Sequence, residues 1–311
     1  MSRKAAILLY YKSMENVAKR IHDEVDHRIQ LVEISWNRFP DQYPDLMIQQ
    51  IGLLERADVC FLADFYSPMN IFEQLSAIYT IARARVNSFK ILLPYFPTGT
   101  MERVDTEGQV ATAATLARML SNTPHTASGP AELVIYDIHA LSERFFFGDG
   151  VIPFFKTGTK LLKARLTEEQ DVALAFPDEG AWKRFKVMFS EKQFEHPIIC
   201  SKVRGADGQR MVTIKEGDPR GKHVVIVDDL IHSGGTLIEC AKVLLAAGAV
   251  KASAYATHGV LEKMAWLKFI DGPFHRVWIT DSCPESSESI NGKGPFEVLS
   301  LAPSLARAIL A

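Results

Sequence analysis

Cysteine is scarce in this chain of 311 residues: Cys60, Cys200, Cys240 and Cys283 stand far apart, with no Cys-x-x-Cys spacing. That pattern offers neither a zinc ribbon nor a disulfide framework. Three of the four lie in or beside apolar segments, where a thiol behaves as a small hydrophobe. The expected setting is therefore reducing and cytoplasmic. Charge of one sign is also lacking. Lys and Arg number 35 against 37 Asp and Glu, giving a formal net charge of −2. No nucleic acid and no anionic membrane is expected as a partner. No apolar run approaches a membrane span. The opening run, residues 5–11, is closed by Lys12 and reads as a first strand rather than as a leader. There is no low-complexity segment, no run of like charges and no residue-level repeat, and no Pro/Gly-rich linker marks a boundary.

What is present is ordinary globular material. The apolar share of 47% can fill well-packed cores, and the charged share of 23% is typical. The length suits two domains. Strand patterns over residues 5–10, 59–63, 89–94 and 133–137 alternate with helical patterns over 14–25, 71–84 and 111–120. A short helix over 159–166 leads to a second set of strands at 172–176, 198–202, 223–227, 253–257 and 277–280. This alternation predicts an α/β fold with mainly parallel sheets flanked by helices. We place the domains at 1–155 and 156–311. Residues 202–216 carry Arg204, Gly205, Asp207, Gly208 and Arg210 and read as a mobile polar loop or hairpin.

The most informative stretch is Val224-Val225-Ile226-Val227-Asp228-Asp229-Leu230-Ile231-His232-Ser233-Gly234-Gly235-Thr236-Leu237. Four β-branched residues predict a buried strand that ends in two carboxylates. A small-residue turn follows, and then a helical pattern over 237–245 with Gly248 just beyond it. Ser233, Gly234, Gly235 and Thr236 thus fall at a helix N-terminus, where free N–H groups and the helix dipole favour an anion. Glycines let the backbone wrap a phosphate closely, and Asp228 with Asp229 can hold neighbouring hydroxyls. A ribose 5-phosphate end fits both halves. The segment resembles the binding motif of the phosphoribosyltransferase fold, so two tandem domains of that type are expected.

Further phrases resemble ribose-phosphate pyrophosphokinases, in order and over roughly residues 5 to 310. They are Pro94-Tyr95-Phe96, Asp137-Ile138-His139-Ala140 with Phe145-Phe146, and Phe176-Pro177-Asp178-Glu179-Gly180-Ala181. Detail is most similar to the second class of these enzymes, known chiefly from plants: Phe96-Pro97-Thr98-Gly99-Thr100, Gly180-Ala181-Trp182-Lys183-Arg184-Phe185 and Trp278-Ile279-Thr280-Asp281-Ser282-Cys283. The resemblance implies pyrophosphoryl transfer from ATP or another nucleoside triphosphate to ribose 5-phosphate, with Mg2+ between the two anions. It implies His139 and Asp178 as metal residues and Lys202 and Arg204 as the catalytic cations. Asp228, Asp229, His232, Ser233, Gly234, Gly235 and Thr236 would bind ribose 5-phosphate. Phe39, Asp41 and Arg103 would contact nucleotide, with the Phe39 loop reaching a neighbouring subunit of a homo-oligomer. Asp178 is also suited to capping the helix after it, and Asp137 equally to a supporting role.

The chain departs from the more common class in three places. Thr100-Met101 replaces an Arg-Gln pair that touches nucleotide, Tyr43 replaces a glutamate, and His232 replaces an aspartate of the phosphate loop. These are features of the second class, and that class implies turnover without added inorganic phosphate and with several nucleotides. Two other functions share parts of the pattern. A phosphoribosyltransferase has the Asp228–Thr236 motif but needs only one such domain. A non-catalytic, synthetase-like regulatory subunit would be favoured by loss of Lys202, Asp228 or the Gly-Gly turn, all of which are present.

Overall fold

The computed structural model describes residues 6–25, 28–167, 169, 171–204, 210–261 and 264–311, with the backbone alone at 202–204 and 210–211. The chain divides into two compact units. Unit 1 is Met1–Lys156 with Ser300–Ala311, and unit 2 is Thr157–Leu299. Residues 300–311, which the sequence reading assigns to the second domain, therefore belong with the first. The physical reason is that their helix, Ala302–Leu310, finds its partners there: Lys90 donates to the Ala308 carbonyl at 3.0 Å and Tyr136 to Ser304 Oγ at 2.7 Å.

In unit 1 the strands are β1 (Ala6–Tyr10), β2 (Ile29–Val32), β3 (Ile34–Arg38), β4 (Pro44–Ile48), β5 (Asp58–Leu62), β6 (Ser88–Leu92), β7 (Ala131–Tyr136) and β8 (Val151–Lys156). One all-parallel sheet has the order β2-β1-β5-β6-β7-β8. Helices Glu15–Glu24, Pro68–Arg83 and Thr112–Ser121 cover it. The antiparallel hairpin β3–β4 stands apart from that sheet, paired from Ile34↔Ile48 to Arg38↔Pro44. Its Trp36 packs on Tyr11 at 4.8 Å and on Phe61 at 6.2 Å.

Unit 2 contains β9 (Val172–Phe176), β10 (Ile198–Arg204), β11 (Arg210–Glu216), β12 (His223–Ile231), β13 (Lys251–Gly259), β14 (Val277–Thr280) and β15 (Phe296–Leu299). The sheet order is β11-β10-β9-β12-β13-β14-β15, parallel except for the β10–β11 pair. Its strands bury Val224, Val225, Ile226 and Val227 between the two helical layers, as a parallel sheet requires.

Candidate active site

Strand order fixes where a ligand can sit. In an open parallel sheet the crevice lies at the carboxyl ends of the two strands between which the order reverses. In unit 2 that point is β9/β12. Asp178 follows the end of β9, and Asp228 and Asp229 lie near the end of β12. β12 is longer than expected. It continues past the aspartates to Ile231 because β13 continues beside it, with Leu230 opposite His258.

The turn after β12 leads into the helix Gly235–Ala246, with Gly234 at its N-cap in the left-handed region, φ 75°. The amides of Gly235, Thr236 and Leu237 precede the first intrahelical bond, Ile238 N–H to Gly234 O, and have no acceptor within the helix. Of the two glycines only Gly234 is demanded by the backbone. A Cβ there would fall 2.3 Å from Phe269 Cζ, whereas Gly235 has only Ser233 Oγ within 4 Å, at 3.9 Å. His232, Ser233 and Gly235 are exposed and Thr236 is partly so. Together they form an open, positively polarised cradle.

Beside it the acidic pair is held close. Asp229 is buried, and its amide donates to Asp228 Oδ1 at 2.9 Å. Desolvation first, then the charge of Asp229, with a further contribution from Asp178, holds the Asp228 carboxyl well above the usual carboxylate range. Asp178 also accepts from Ala181 N–H at 3.0 Å and so caps its helix. At the ends of β13 and β14, Thr280 Oγ1 and Ser282 Oγ both donate to the Thr257 carbonyl, at 2.6 and 3.0 Å. His258 Nδ1 and Ser282 Oγ are hydrogen-bonded at 2.9 Å. The Thr280-Asp281-Ser282 phrase, legible in the sequence only as a likeness, therefore ties the end of β14 to that of β13.

The polar segment at 202–216 is a hairpin. β10 pairs with β9 only at Ile198 and Ile199, so its later residues run past the carboxyl end of β9, carried by β11. Lys202 stands opposite Val212 and Arg204 opposite Arg210. Residues 205–209, including Gly205, Asp207 and Gly208, lie outside the described residues.

In unit 1 His139 is exposed, just beyond β7. Asp137 is fully buried with φ 35°. Glu143, also fully buried, accepts from the Ala140 amide at 2.9 Å. The Pro97–Thr100 loop rests on this segment: a Cβ on Gly99 would lie 3.2 Å from His139 Cβ and 3.4 Å from Glu143 Oε1. Arg103 is a surface group facing Asp105 at 3.4 Å. Phe39 is 50% exposed, and Asp41 accepts from the Tyr43 amide at the hairpin tip. Of the two rings beside that loop, Trp36 packs inward and Phe39 outward.

Sequence reasoning missed the groups that fill the corresponding crevice of unit 1, at β1/β5. Tyr11 donates to the buried Glu73 at 2.5 Å, and Arg38 reaches its other oxygen at 3.3 Å. Burial first, then the bond to Glu73, pushes the Tyr11 phenol up. Ser13 donates to Asp64 at 2.5 Å, and Gln74 brackets the Asp64 backbone. This network anchors the hairpin that carries Phe39 and Asp41. Its members are far apart in sequence, and none belongs to a spaced motif.

Two family models cover most of the chain. Residues 6–123 match the N-terminal domain of ribose phosphate pyrophosphokinase, and residues 169–280 match the phosphoribosyl transferase domain. Ribose-phosphate pyrophosphokinase 4 of Arabidopsis thaliana is 50% identical over 320 residues, covering 99% of this chain and 93% of that one. The chain belongs to the ribose-phosphate pyrophosphokinase family. The chloroplastic ribose-phosphate pyrophosphokinase 3 of Oryza sativa subsp. japonica is also 50% identical, over 99% of this chain and 76% of its own. A bacterial member of the family, from Caldanaerobacter subterraneus, reaches 33% over 78% of this chain. The phosphoribosylpyrophosphate synthetase of Mycobacterium smegmatis shares the fold, with a TM-score of 0.82 at 23% identity, over 99% of this chain and 98% of that one. The α/β fold with two phosphoribosyltransferase-like domains is thus that of a ribose-phosphate pyrophosphokinase, and the likeness to plant members extends over nearly the whole chain. No helix among the described residues is long and apolar enough to cross a membrane.

Proposed function

We propose that this chain is a catalytic ribose-phosphate pyrophosphokinase. It transfers the β,γ-pyrophosphoryl group of ATP, or another nucleoside triphosphate, to the 1-hydroxyl of ribose 5-phosphate, yielding phosphoribosyl pyrophosphate and a nucleoside monophosphate. The observation that carries this reading is the β12 crevice, where an acidic pair and a helix N-terminal cradle stand side by side at the strand-order reversal. Asp228 and Asp229 accept from ribose hydroxyls. His232 and the Ser233–Thr236 turn hold the phosphate. Lys202 and Arg204, on the hairpin beyond β9, neutralise charge on the transferring group. Phe39, Asp41 and Arg103 contact the nucleotide.

Among the described residues no group of three or more His, Cys, Asp and Glu side chains is arranged to hold a metal ion by itself. Mg2+ ordinarily needs no such cage, because it takes one or two carboxylates and completes its shell with phosphate oxygens and water. The crowding of Asp178, Asp228 and Asp229 is the oxygen-rich, charge-stressed environment that a divalent cation relieves. Asp178 and His139 are the residues we assign to Mg2+. Mg2+ held by these residues would neutralise phosphate charge.

The working form we infer is a homo-oligomer. Beside the exposed Phe39, the hairpin and helix Pro68–Arg83 line an apolar groove of about 570 Å³ in which Tyr43, Met47 and Phe72 are exposed. A second copy would cover that surface. The compartment we propose is the cytoplasm, supported by four cysteines with no disulfide among them. The names of two relatives place those proteins in the chloroplast and the mitochondrion.

A turnover assay tests the reading. AMP should form from ATP only when ribose 5-phosphate and Mg2+ are both present. Other nucleotides should also serve, and inorganic phosphate should be dispensable. Binding of both substrates without AMP formation would identify a regulatory subunit instead. Consumption of phosphoribosyl pyrophosphate with a base would identify a transferase.

Asp228→Asn should separate stability from binding. Because the Asp228 carboxyl is held above its unfolded value, its protonation favours the folded state. That contribution is present at acid pH and is lost as pH rises from the ordinary carboxylate range towards the raised folded value. At neutral pH the ligand-free Asn variant should therefore melt no lower than the parent. Its ribose 5-phosphate affinity should fall about 10- to 100-fold, since charge-assisted bonds contribute roughly 1.5–3 kcal/mol. Calorimetric titration and melting in parallel read both effects; unchanged affinity would remove Asp228 from the sugar site.

A further inference from the structure

Thr98 carries two anomalies at once. Its φ is 64°, and among the described non-glycine residues with positive φ it is the β-branched one, the others being Gln42, Gln50, Arg56, Arg85, Asp137, Asp171 and Met264. A β-branched residue in that region is a true outlier. Its hydroxyl oxygen is also sealed from solvent without a hydrogen-bond partner. Each feature disfavours the ligand-free fold, and glycine would relieve both. The backbone around it is firmly held: Thr98 O accepts from Met101 N–H at 2.8 Å, and the next residue, Gly99, lies against His139 and Glu143. Loose local structure therefore does not account for the strain.

We propose that Thr98 is a nucleotide-binding residue whose hydroxyl donates to a phosphate oxygen of the nucleoside triphosphate. This inference rests on the proposed readings of Arg103 as a nucleotide contact and of His139 as a metal residue, and it supplies a donor beside Thr100-Met101, which replaces the charged pair of the more common class. A phosphate is the partner that the position favours, because His139, which lies against the adjacent Gly99, would hold a cation there and a cation would draw phosphate oxygens to it. Thr98 as a residue is partly exposed. The proposed contact requires a turn about the Cα–Cβ bond to another staggered position that brings the hydroxyl to the ligand. There it meets a charged acceptor, which makes a stronger bond than a neutral one.

The experiment compares Thr98→Val, Thr98→Ser and the parent by calorimetric titration with Mg2+ and α,β-methylene ATP, which cannot react, and separately with ribose 5-phosphate. Valine keeps the branching and the backbone strain and removes only the hydroxyl. It should weaken analogue binding about tenfold, leave ribose 5-phosphate binding unchanged, and hold or raise the melting temperature, because a buried hydroxyl without a partner has gone. Serine should bind the analogue within about twofold of the parent. Analogue affinity of Thr98→Val within twofold of the parent overturns the proposal. So does a lowered melting temperature with both ligands weakened alike, the mark of a purely structural side chain. A parent that fails to bind the analogue overturns the nucleotide-site reading, and this inference with it; a parent that binds and a valine variant that binds equally overturns this inference alone.

Discussion

Gly234→Ala should bind ribose 5-phosphate too weakly to measure and should melt well below the parent. The residue sits at φ 75°, where a side chain costs ~1–3 kcal/mol. The added Cβ would also stand 2.3 Å from Phe269 Cζ and 2.4 Å from Cε2. That ring cannot step aside cheaply. It is fully buried and lies between Phe274 at 5.4 Å and Phe296 at 5.2 Å. Overpacking of this kind costs ~1–3 kcal/mol more. With the ring held by its neighbours, the turn must shift and take the amides of Gly235 and Thr236 with it, so the proposed anion cradle is lost. Gly235→Ala is the internal contrast, because its Cβ has open space and no positive φ. Scanning calorimetry with ligand titration reads both variants; a Gly234→Ala protein that melts and binds like the parent refutes the cradle.

Lys202→Ala should turn over at a hundredth of the parent rate or less while binding ribose 5-phosphate nearly as well. The backbone of β10 leaves its neighbour β9 after Ile199 and continues, with β11, past the carboxyl end of β9. The Lys202 backbone therefore lies beyond the end of β9, the strand that Asp178 follows. In the proposed role its cation would act mainly on charge that develops during transfer. Removing one preorganised electrostatic contact costs ~3–4 kcal/mol of barrier. Single-turnover rates set beside a ribose 5-phosphate titration separate the two effects. A rate within about threefold of the parent would leave Lys202 without a catalytic role.

The parts of this fold that were legible in the sequence are those whose signal is local. Val172–Phe176, Thr159–Leu166 and Val277–Thr280 were placed at their observed bounds because apolar runs and breakers are read within one segment. β8 was missed because Pro153 argues against a strand; the sheet admits it there because β8 is an edge, where a missing donor is tolerated. The hairpin β3–β4 was hidden in the same way by Pro40 and Pro44. The end of β12 was misjudged since only the neighbouring strand decides how far it continues. In the site, the phosphate turn was readable because its residues are consecutive. The contacts of Arg38 and Tyr11 with Glu73 span 35 and 62 positions and leave no spacing to recognise. Nor does the helical pattern at 302–310 say against which unit it packs.

That last helix bears on how the protein is made. Unit 2 is inserted between residues 156 and 300 of unit 1. Domains ordinarily fold in the order in which the ribosome delivers them. Here the second unit is complete once Leu299 emerges, whereas the first still lacks the segment that Lys90 and Tyr136 await. The unit begun before unit 2 is thus finished after it, and the nascent chain must keep that flank of unit 1 uncovered until residues 300–311 have followed unit 2.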